Sequence, residues 1–212
     1  MEPNENNLEE QYAVNEARLL NLKKEMIVES WTPPLEKLIK NYAEKAAGLR
    51  LMHLRSSDEW SRVSNWTSIV VIVLSTIGGM MNFGTSNDYE HIQMWMYFIG
   101  IINITASMIA SVSKFYKPEE KEHSHLHSAQ GYGVFHRELL FQLNLPKSER
   151  KPAEQVIHEI KNEYNRIQND ELPLKEHIVN WYKSIYMKQD NISEGGIPDI
   201  ARLTHNISIL TE

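Results

Sequence analysis

The stretch WTSIVVIVLSTIGGMMNF, residues Trp66–Phe83, contains no charged side chain, and neither does WMYFIGIINITASMIA, residues Trp95–Ala110. The first belongs to an uncharged segment of 25 residues and the second to one of 23. An α-helix rises about 1.5 Å per residue, so either segment can cross the roughly 30 Å hydrocarbon core of a bilayer. We therefore predict two transmembrane helices, 63–87 and 91–115, joined by a short extracytosolic turn at 88–90.

A soluble protein could instead bury the same two segments as an antiparallel hairpin inside a helical bundle. Core helices of soluble proteins are usually shorter, however, and they keep one polar face. Basic residues flank the pair of segments, namely Arg55, Arg62, Lys114 and Lys117, whereas the turn between the segments has no Lys or Arg. The positive-inside rule then predicts an integral membrane protein with both termini in the cytosol. The basic residues would lie at the membrane flank or at the mouth of a pore.

The rest of the chain has helical spacing of its apolar residues, so we predict an all-α fold. The predicted cytosolic parts are an N-terminal amphipathic helix in 1–30, the first part of a long helix in 31–62, a C-terminal helical region in 116–190 and a flexible tail in 191–212. We expect the two long helices to extend beyond the membrane as a cytosolic bundle, with a kink at Pro118 in the second. The terminal helices, Leu8–Ser30 and Ala153–Lys188, are expected to pack around that bundle.

Each predicted span carries polar residues at helical spacing. These two polar stripes are Ser68, Ser75 and Asn82 in the first span, and Asn103, Ser107 and Ser111 in the second. Lipid is a poor neighbour for such groups, so each stripe should face protein or water. Two interpretations stay open: the stripes pack helices together, or one of them lines a pore. Because two helices cannot enclose a water-filled path, a pore would require several subunits.

Composition argues against several other functions. The 212 residues include no cysteine, which excludes disulfides, thiolate metal sites and a cysteine nucleophile. The net charge of −6 gives no support to nucleic-acid binding. The chain has no phosphate-binding glycine loop and no serine-elbow motif, so we predict a protein that is not an enzyme and has no cofactor. His123 and His127 have the four-residue spacing of a metal-binding pair, but no acidic residue completes a known motif, and a solvated or interfacial segment is the simpler interpretation.

Two longer stretches resemble the SLATT superfamily of two-transmembrane effector proteins. The first is YAEKAAGLRLMHLRSSDEWSRVSNWTSIVVIVLSTIGG, residues 42–79, in which Ser75 to Gly79 is the closest local match. The second is FHRELLFQLNLPKSERKPAEQVIHEIKNEYNRIQNDELPL, residues 135–174. There, residues similar to the family pattern are Arg137, Glu138, Leu143, Pro146, Arg150, Tyr164 and Pro173. The first span departs from the family in lacking the proline often found near its start.

The resemblance implies a pore-forming or membrane-perturbing effector. We therefore predict an oligomeric membrane pore or ion channel whose partners are the lipid bilayer, further copies of the chain, and ions. The alternative is a membrane-anchored helical scaffold that does not conduct and whose polar stripes only pack helices together.

Overall fold

A computed structural model describes residues 5–84, 92–186 and 196–201, and the all-α prediction is confirmed, since those residues contain no strand. The helices are α1, Glu5–Ser30; α2, Pro33–Gly84; α3, Ile92–Tyr116; α4, Pro118–Asn144; α5, Ala153–Asp170; and α6, Glu176–Tyr186. Two short 3₁₀ turns are Lys147–Glu149 and Asp199–Ala201. The predicted turn 88–90 and most of the predicted tail 191–212 lie outside the described residues.

The chain folds into two compact units. Unit 1 combines the chain up to Met52, the stretch Ser128–Glu171, and the chain from Glu176 onwards. Unit 2 combines His53–His127 with Leu172–Lys175. Helices α2 and α4 therefore each contribute residues to both units.

The start of α2 follows from Thr32 and the prolines after it. The Thr32 carbonyl accepts a hydrogen bond from the Glu36 N–H at 3.1 Å. Thr32 is therefore the N-cap residue of α2. Pro33 occupies the first helical position, where a missing N–H leaves no bond unmade. No proline follows Pro34 before Gly84, and α2 runs for 52 residues without interruption, close to the range predicted from the sequence.

Helices α3 and α4 are separated at Lys117. The sequence predicted one long helix kinked at Pro118, and the structure instead has a break into two helices. Lys117 has a φ of 47°, in the left-handed region that costs energy for a residue with a Cβ. Pro118 causes the break, because its ring disfavours the right-handed helical conformation for the residue before it.

An aromatic cluster centred on Tyr164 of α5 forms the middle of unit 1. The ring centroids of Tyr42, Phe135 and Tyr132 lie 5.4, 5.9 and 6.1 Å from that of Tyr164. The Tyr132 hydroxyl donates a hydrogen bond to Glu171 at 2.8 Å. Burial, and then this bond, raise the pKa of Tyr132 well above its usual value. Aromatic pairs of this kind contribute about 0.5–1.5 kcal/mol each beyond the area they bury, so the cluster ties α2, α4 and α5 together.

Arg150 links the start of α2 to the end of α4. Its guanidinium pairs with the Glu36 carboxylate and lies 4.7 Å from the centre of the Trp31 ring. It also donates hydrogen bonds to the carbonyls of Leu143 and Leu145, both at 2.9 Å. The bond from Arg150 holds the pKa of Glu36 below its usual value, although burial acts in the opposite direction. Arg150 thus satisfies carbonyls at the end of α4 and holds Trp31, two residues before α2.

Helix α1 is part of unit 1 but contacts the rest of that unit only at its C-terminal end. This packing differs from the prediction, in which α1 surrounds a cytosolic bundle. Among the side chains that the structure describes in α1, Ile27 alone is half-buried and all others are exposed. Among the described residues, α1 contacts the turn Lys147–Glu149 and α5. Near the end of α1, the Ala153 N–H donates to the Ser30 hydroxyl at 3.4 Å.

We predict that Glu36→Gln lowers the free energy of unfolding of unit 1 by about 1.5–3 kcal/mol at neutral pH, since it removes a charge-assisted hydrogen bond. The pKa of Glu36 is lower in the folded chain. Its contribution is therefore complete above the ordinary carboxyl pKa and is lost as pH falls through the lowered value. Thermal unfolding followed by circular dichroism between pH 3 and 7 should give a smaller pH dependence in the variant.

The matched control is Glu154→Gln, which changes an exposed carboxylate in the first turn of α5. It should lower the free energy of unfolding by less, at most about 0.3–1 kcal/mol, the contribution of a carboxylate in the first turn of a helix. Equal losses in the two variants would contradict a specific role for Glu36.

Candidate functional site

The candidate site is the pair of apolar helices in unit 2, formed by the second half of α2 and by α3. The stretches Pro33–Met81 and Gln93–Asn144 are each long and apolar enough to cross a membrane. Only 11% of the most apolar window in each is buried, whereas the core helix of a soluble bundle would be mostly buried. The exposed apolar side chains include Trp66, Ile69, Ile72, Val73, Ile77, Met80, Met94, Phe98, Ile101, Ile104, Met108 and Val112.

Helices α2 and α3 contact each other at Gly78. A Cβ atom at Gly78 would lie 2.6 Å from the Asn103 Oδ1 and 3.6 Å from a methyl of Ile102, so the missing side chain permits the close approach. Gly79, the next residue, would meet nothing within 4 Å. Further from the tip, the Ser64 hydroxyl is 3.4 Å from Glu119. Earlier residues of α2 thus contact later residues of the partner segment, and the two helices are antiparallel.

Most residues of the two polar stripes are not in this helix contact. Ser68, Ser75, Ser107 and Ser111 are exposed, and Asn103 is exposed although its side chain lies against Gly78. The side chain of Asn82 is outside the described part of the chain. The four serines therefore do not pack α2 against α3 of the same chain, and packing against another chain stays a prediction.

The two stripes lie on one side of the helix pair. Each of their described residues directly follows a residue that is buried or half-buried at the contact: Thr67–Ser68, Leu74–Ser75, Ile102–Asn103, Ala106–Ser107 and Ala110–Ser111. One residue is about 100° of rotation. In antiparallel helices of the same hand, equal rotations away from the contact lead to the same side of the pair. We call this side, formed by Ser68, Ser75, Asn103, Ser107 and Ser111, the polar face.

The other side of the pair is apolar. The residues that directly precede the contact positions include Trp66, Val73, Ile101 and Thr105, all exposed. A cavity on this side is lined by Val63, Met108 and Val112 together with residues of the contact. The helix pair is therefore amphipathic across its width, although Ile72 interrupts the polar face and Thr105 lies on the apolar one.

Several hydroxyl groups in the apolar segments are hydrogen-bonded within their own helix. Thr76 donates to the Ile72 carbonyl and Thr105 to the Ile101 carbonyl, both at 2.8 Å. The Ser111 hydroxyl donates to a carbonyl one turn earlier in the same way, at 2.8 Å. A hydroxyl bonded in this manner needs no partner outside the helix, which lowers the cost of placing it in hydrocarbon.

The four flanking basic residues, Arg55, Arg62, Lys114 and Lys117, are all exposed. The Lys117 ammonium lies 2.6 Å from the carboxylate of Glu120, which offsets part of its charge. Lys114 lies in the last turn of α3 and borders a shallow cavity with Glu119 and Glu120. The charges of Lys114 and Lys117 therefore lie next to acidic side chains at the start of α4.

Trp60 has contacts that the sequence did not predict. The ammonium groups of Lys121 and Lys175 lie 4.5 and 4.1 Å from the centre of its ring. The Lys175 ammonium is also 3.9 Å from a carboxylate oxygen of Glu59. Lys175 is distant in sequence, and no spacing rule could have linked it to α2.

The histidine cluster is arranged differently from a metal site. His123 and His127 are exposed, whereas His125 between them is buried. In the described part of the chain, no three His, Cys, Asp or Glu side chains lie close enough together to hold a metal ion. His123 and His127 therefore have no third ligand beside them among the described residues.

His125 instead pairs with His53 of α2. The two Nδ1 atoms lie 3.0 Å apart and both rings are buried, so one nitrogen donates and the other accepts. Sequence reasoning missed this pair. A signal was present, because His53 falls at helical spacing between the buried residues Leu49 and Ser56 and so had to face a neighbouring helix.

Comparisons of the chain with protein-family models, curated proteins and solved structures gave no match. The resemblance to the SLATT superfamily therefore stays a prediction. Two residues that carry it, Arg150 and Tyr164, have clear structural roles in unit 1.

We predict that Gly78→Leu weakens the packing of α2 on α3 and that Gly79→Leu does not. The added side chain at Gly78 meets Asn103 and Ile102, whereas that at Gly79 enters open space. Overpacking typically costs about 1–3 kcal/mol. Thermal unfolding of the two variants in the same detergent measures the difference, and since both gain the same side chain, any general effect of added apolarity cancels. Equal unfolding temperatures would contradict the close contact at Gly78.

Proposed function

We propose that the chain inserts into a lipid bilayer as a two-span hairpin, and that several copies assemble with their polar faces around a water-filled pore. The observation that carries this proposal is the division of the helix pair into a polar and a mainly apolar face, both left uncovered by the described part of the chain. The cytosolic location of both termini, inferred from the flanking basic residues, is part of the same proposal.

The exposed apolar side chains support the membrane part of the proposal. Moving a large apolar side chain out of water is favourable by about 1.5–3 kcal/mol, and more than ten such side chains are exposed in α2 and α3. A bilayer would accept them without further protein. The hydroxyls that face this environment, such as that of Thr105, are already bonded to their own helix.

The polar face supports the assembly part. Facing lipid, the Asn103 amide would lose hydrogen bonds to water that hydrocarbon cannot replace. Assembly around an axis would instead turn both polar stripes towards water. Neither uncharged segment contains an acidic residue, so the pore would have no carboxylate ring to select cations. Lys114, at the end of α3, would then give the mouth a positive charge.

We predict that Ser107→Leu reduces the unitary conductance of the purified protein in planar bilayers several-fold, because it narrows and dries the pore wall. Thr105→Leu is the matched control, since it also replaces a hydroxyl by leucine but lies on the apolar face. It should leave conductance unchanged. Inserted wild-type protein that gives no unitary current would contradict the pore and favour the non-conducting scaffold, and equal effects of the two variants would contradict the assigned faces.

We predict that the wild-type pore prefers anions and that Lys114→Glu shifts its preference towards cations. The reversal potential in asymmetric potassium chloride measures this preference, and the shift should shrink at high salt, where charges are screened. Lys161→Glu makes the same change at an exposed position of α5 and should not alter the reversal potential. Clear cation preference of the wild-type pore would contradict the role of Lys114.

A further inference from the structure

Helix α1 presents a second apolar surface that unit 1 leaves uncovered. Tyr12, Leu19, Leu22 and Met26 are 73, 67, 48 and 64% exposed. With Asn15 they occupy successive a and d positions of a heptad repeat, the pattern by which one helix packs against another. We call this set of five residues the α1 stripe.

The α1 stripe faces away from the rest of unit 1. Ile27, the half-buried residue of α1, is about 100° around the helix from Met26. The cavity between α1 and the adjacent 3₁₀ turn is lined by Asn21, Lys24, Glu25, Val28, Glu29 and Ser148. Lys24 and Val28 lie about 160° from Met26 by the same geometry. The cavity therefore lies on the side of α1 opposite the stripe, and the other described residues of unit 1 reach the stripe side only at Ser30, one turn after Met26.

We propose that the α1 stripe pairs with the α1 stripe of a second copy of the chain as an antiparallel coiled coil. In the central layers Leu19 lies opposite Leu22 of the partner subunit, and Asn15 lies opposite Met26 of the partner subunit. A two-fold axis between the helices makes each contact occur twice. In this register residues 11–30 of the two α1 helices overlap, which is nearly three heptads and enough for a short coiled coil.

Charge complementarity selects the second copy as the occupant and the antiparallel direction. In this register Glu16 lies next to Lys23 of the partner subunit, and Arg18 lies next to Glu25 of the partner subunit. Symmetry gives four attractive pairs. All four residues are exposed in the single chain. In a parallel pair, Arg18 would instead lie next to Lys23 of the partner subunit and the two would repel, since these flanking positions determine helix orientation.

Disulfide cross-linking of the full-length protein in detergent tests the pairing. The chain contains no cysteine, so introduced cysteines report contacts without background. A chain carrying both Asn15→Cys and Met26→Cys should form a cross-linked dimer on mild oxidation. Neither single variant should do so, because in the antiparallel pair two copies of residue 15 are about 16 Å apart, beyond the reach of a disulfide. The same spacing prevents a disulfide within one helix.

The outcomes are distinct. Cross-linking of the Asn15→Cys single variant as efficiently as the double variant would overturn the antiparallel arrangement in favour of a parallel one. No cross-linking in any variant would overturn the pairing. The inference does not rest on the proposed pore, since a non-conducting protein could pair through α1 equally well.

Charge reversal provides a second test in the same cross-linking background. Lys23→Glu should lower the dimer yield several-fold, since it puts two glutamates side by side, and Glu16→Lys combined with Lys23→Glu should restore it. Lys24→Glu, on the side of α1 that faces unit 1, is the control and should leave the yield unchanged. A double reversal that fails to restore the yield would overturn the proposed register.

Discussion

Removal of apolar side chains from water is the constraint on which the whole structure depends, and it is met differently along a single helix. Ile39, near the start of α2, is completely buried, whereas Ile72 of the same helix is 64% exposed. In unit 1 the chain supplies its own cover, through the aromatic cluster at Tyr164 and the apolar side of α5. In unit 2 the described residues do not, and many large apolar side chains of the second half of α2 and of α3 are exposed.

The exposed polar and apolar side chains of unit 2 lie mainly on different sides of the pair formed by α2 and α3. Polar residues directly follow several contact positions of both antiparallel helices, and mostly apolar residues directly precede them, with Ile72 and Thr105 as exceptions. A single glycine, Gly78, sets how closely the two helices approach and where Asn103 lies. The polar and apolar faces therefore follow from sequence order once the contact is known. The close approach at Gly78 and the two faces of the helix pair therefore both follow from the position of the α2–α3 contact.

Much of the fold could be predicted from spacing and proline positions. The interruption-free run from Pro33 to Gly84 and the buried side of α5 follow from local rules, and Pro118 correctly indicated a disturbance that is a full break at Lys117. The spacing of the polar residues predicted two stripes but not their common side, because spacing does not fix the angle at which a second helix approaches. The pairing of His53 with His125 and the two ammonium groups at Trp60 depend on tertiary contacts. The exposure of α1 was missed for the same reason.

Under the proposed function, the polar face of the helix pair would also affect the stability of single copies before they assemble. A newly inserted copy, before it meets others, would hold the Asn103 amide and the Ser107 hydroxyl against acyl chains, which is an energetically poor state. Such single copies would, under the proposed function, be less stable than assembled ones, so the number of complexes would rise more steeply than in proportion to the amount of chain in the bilayer.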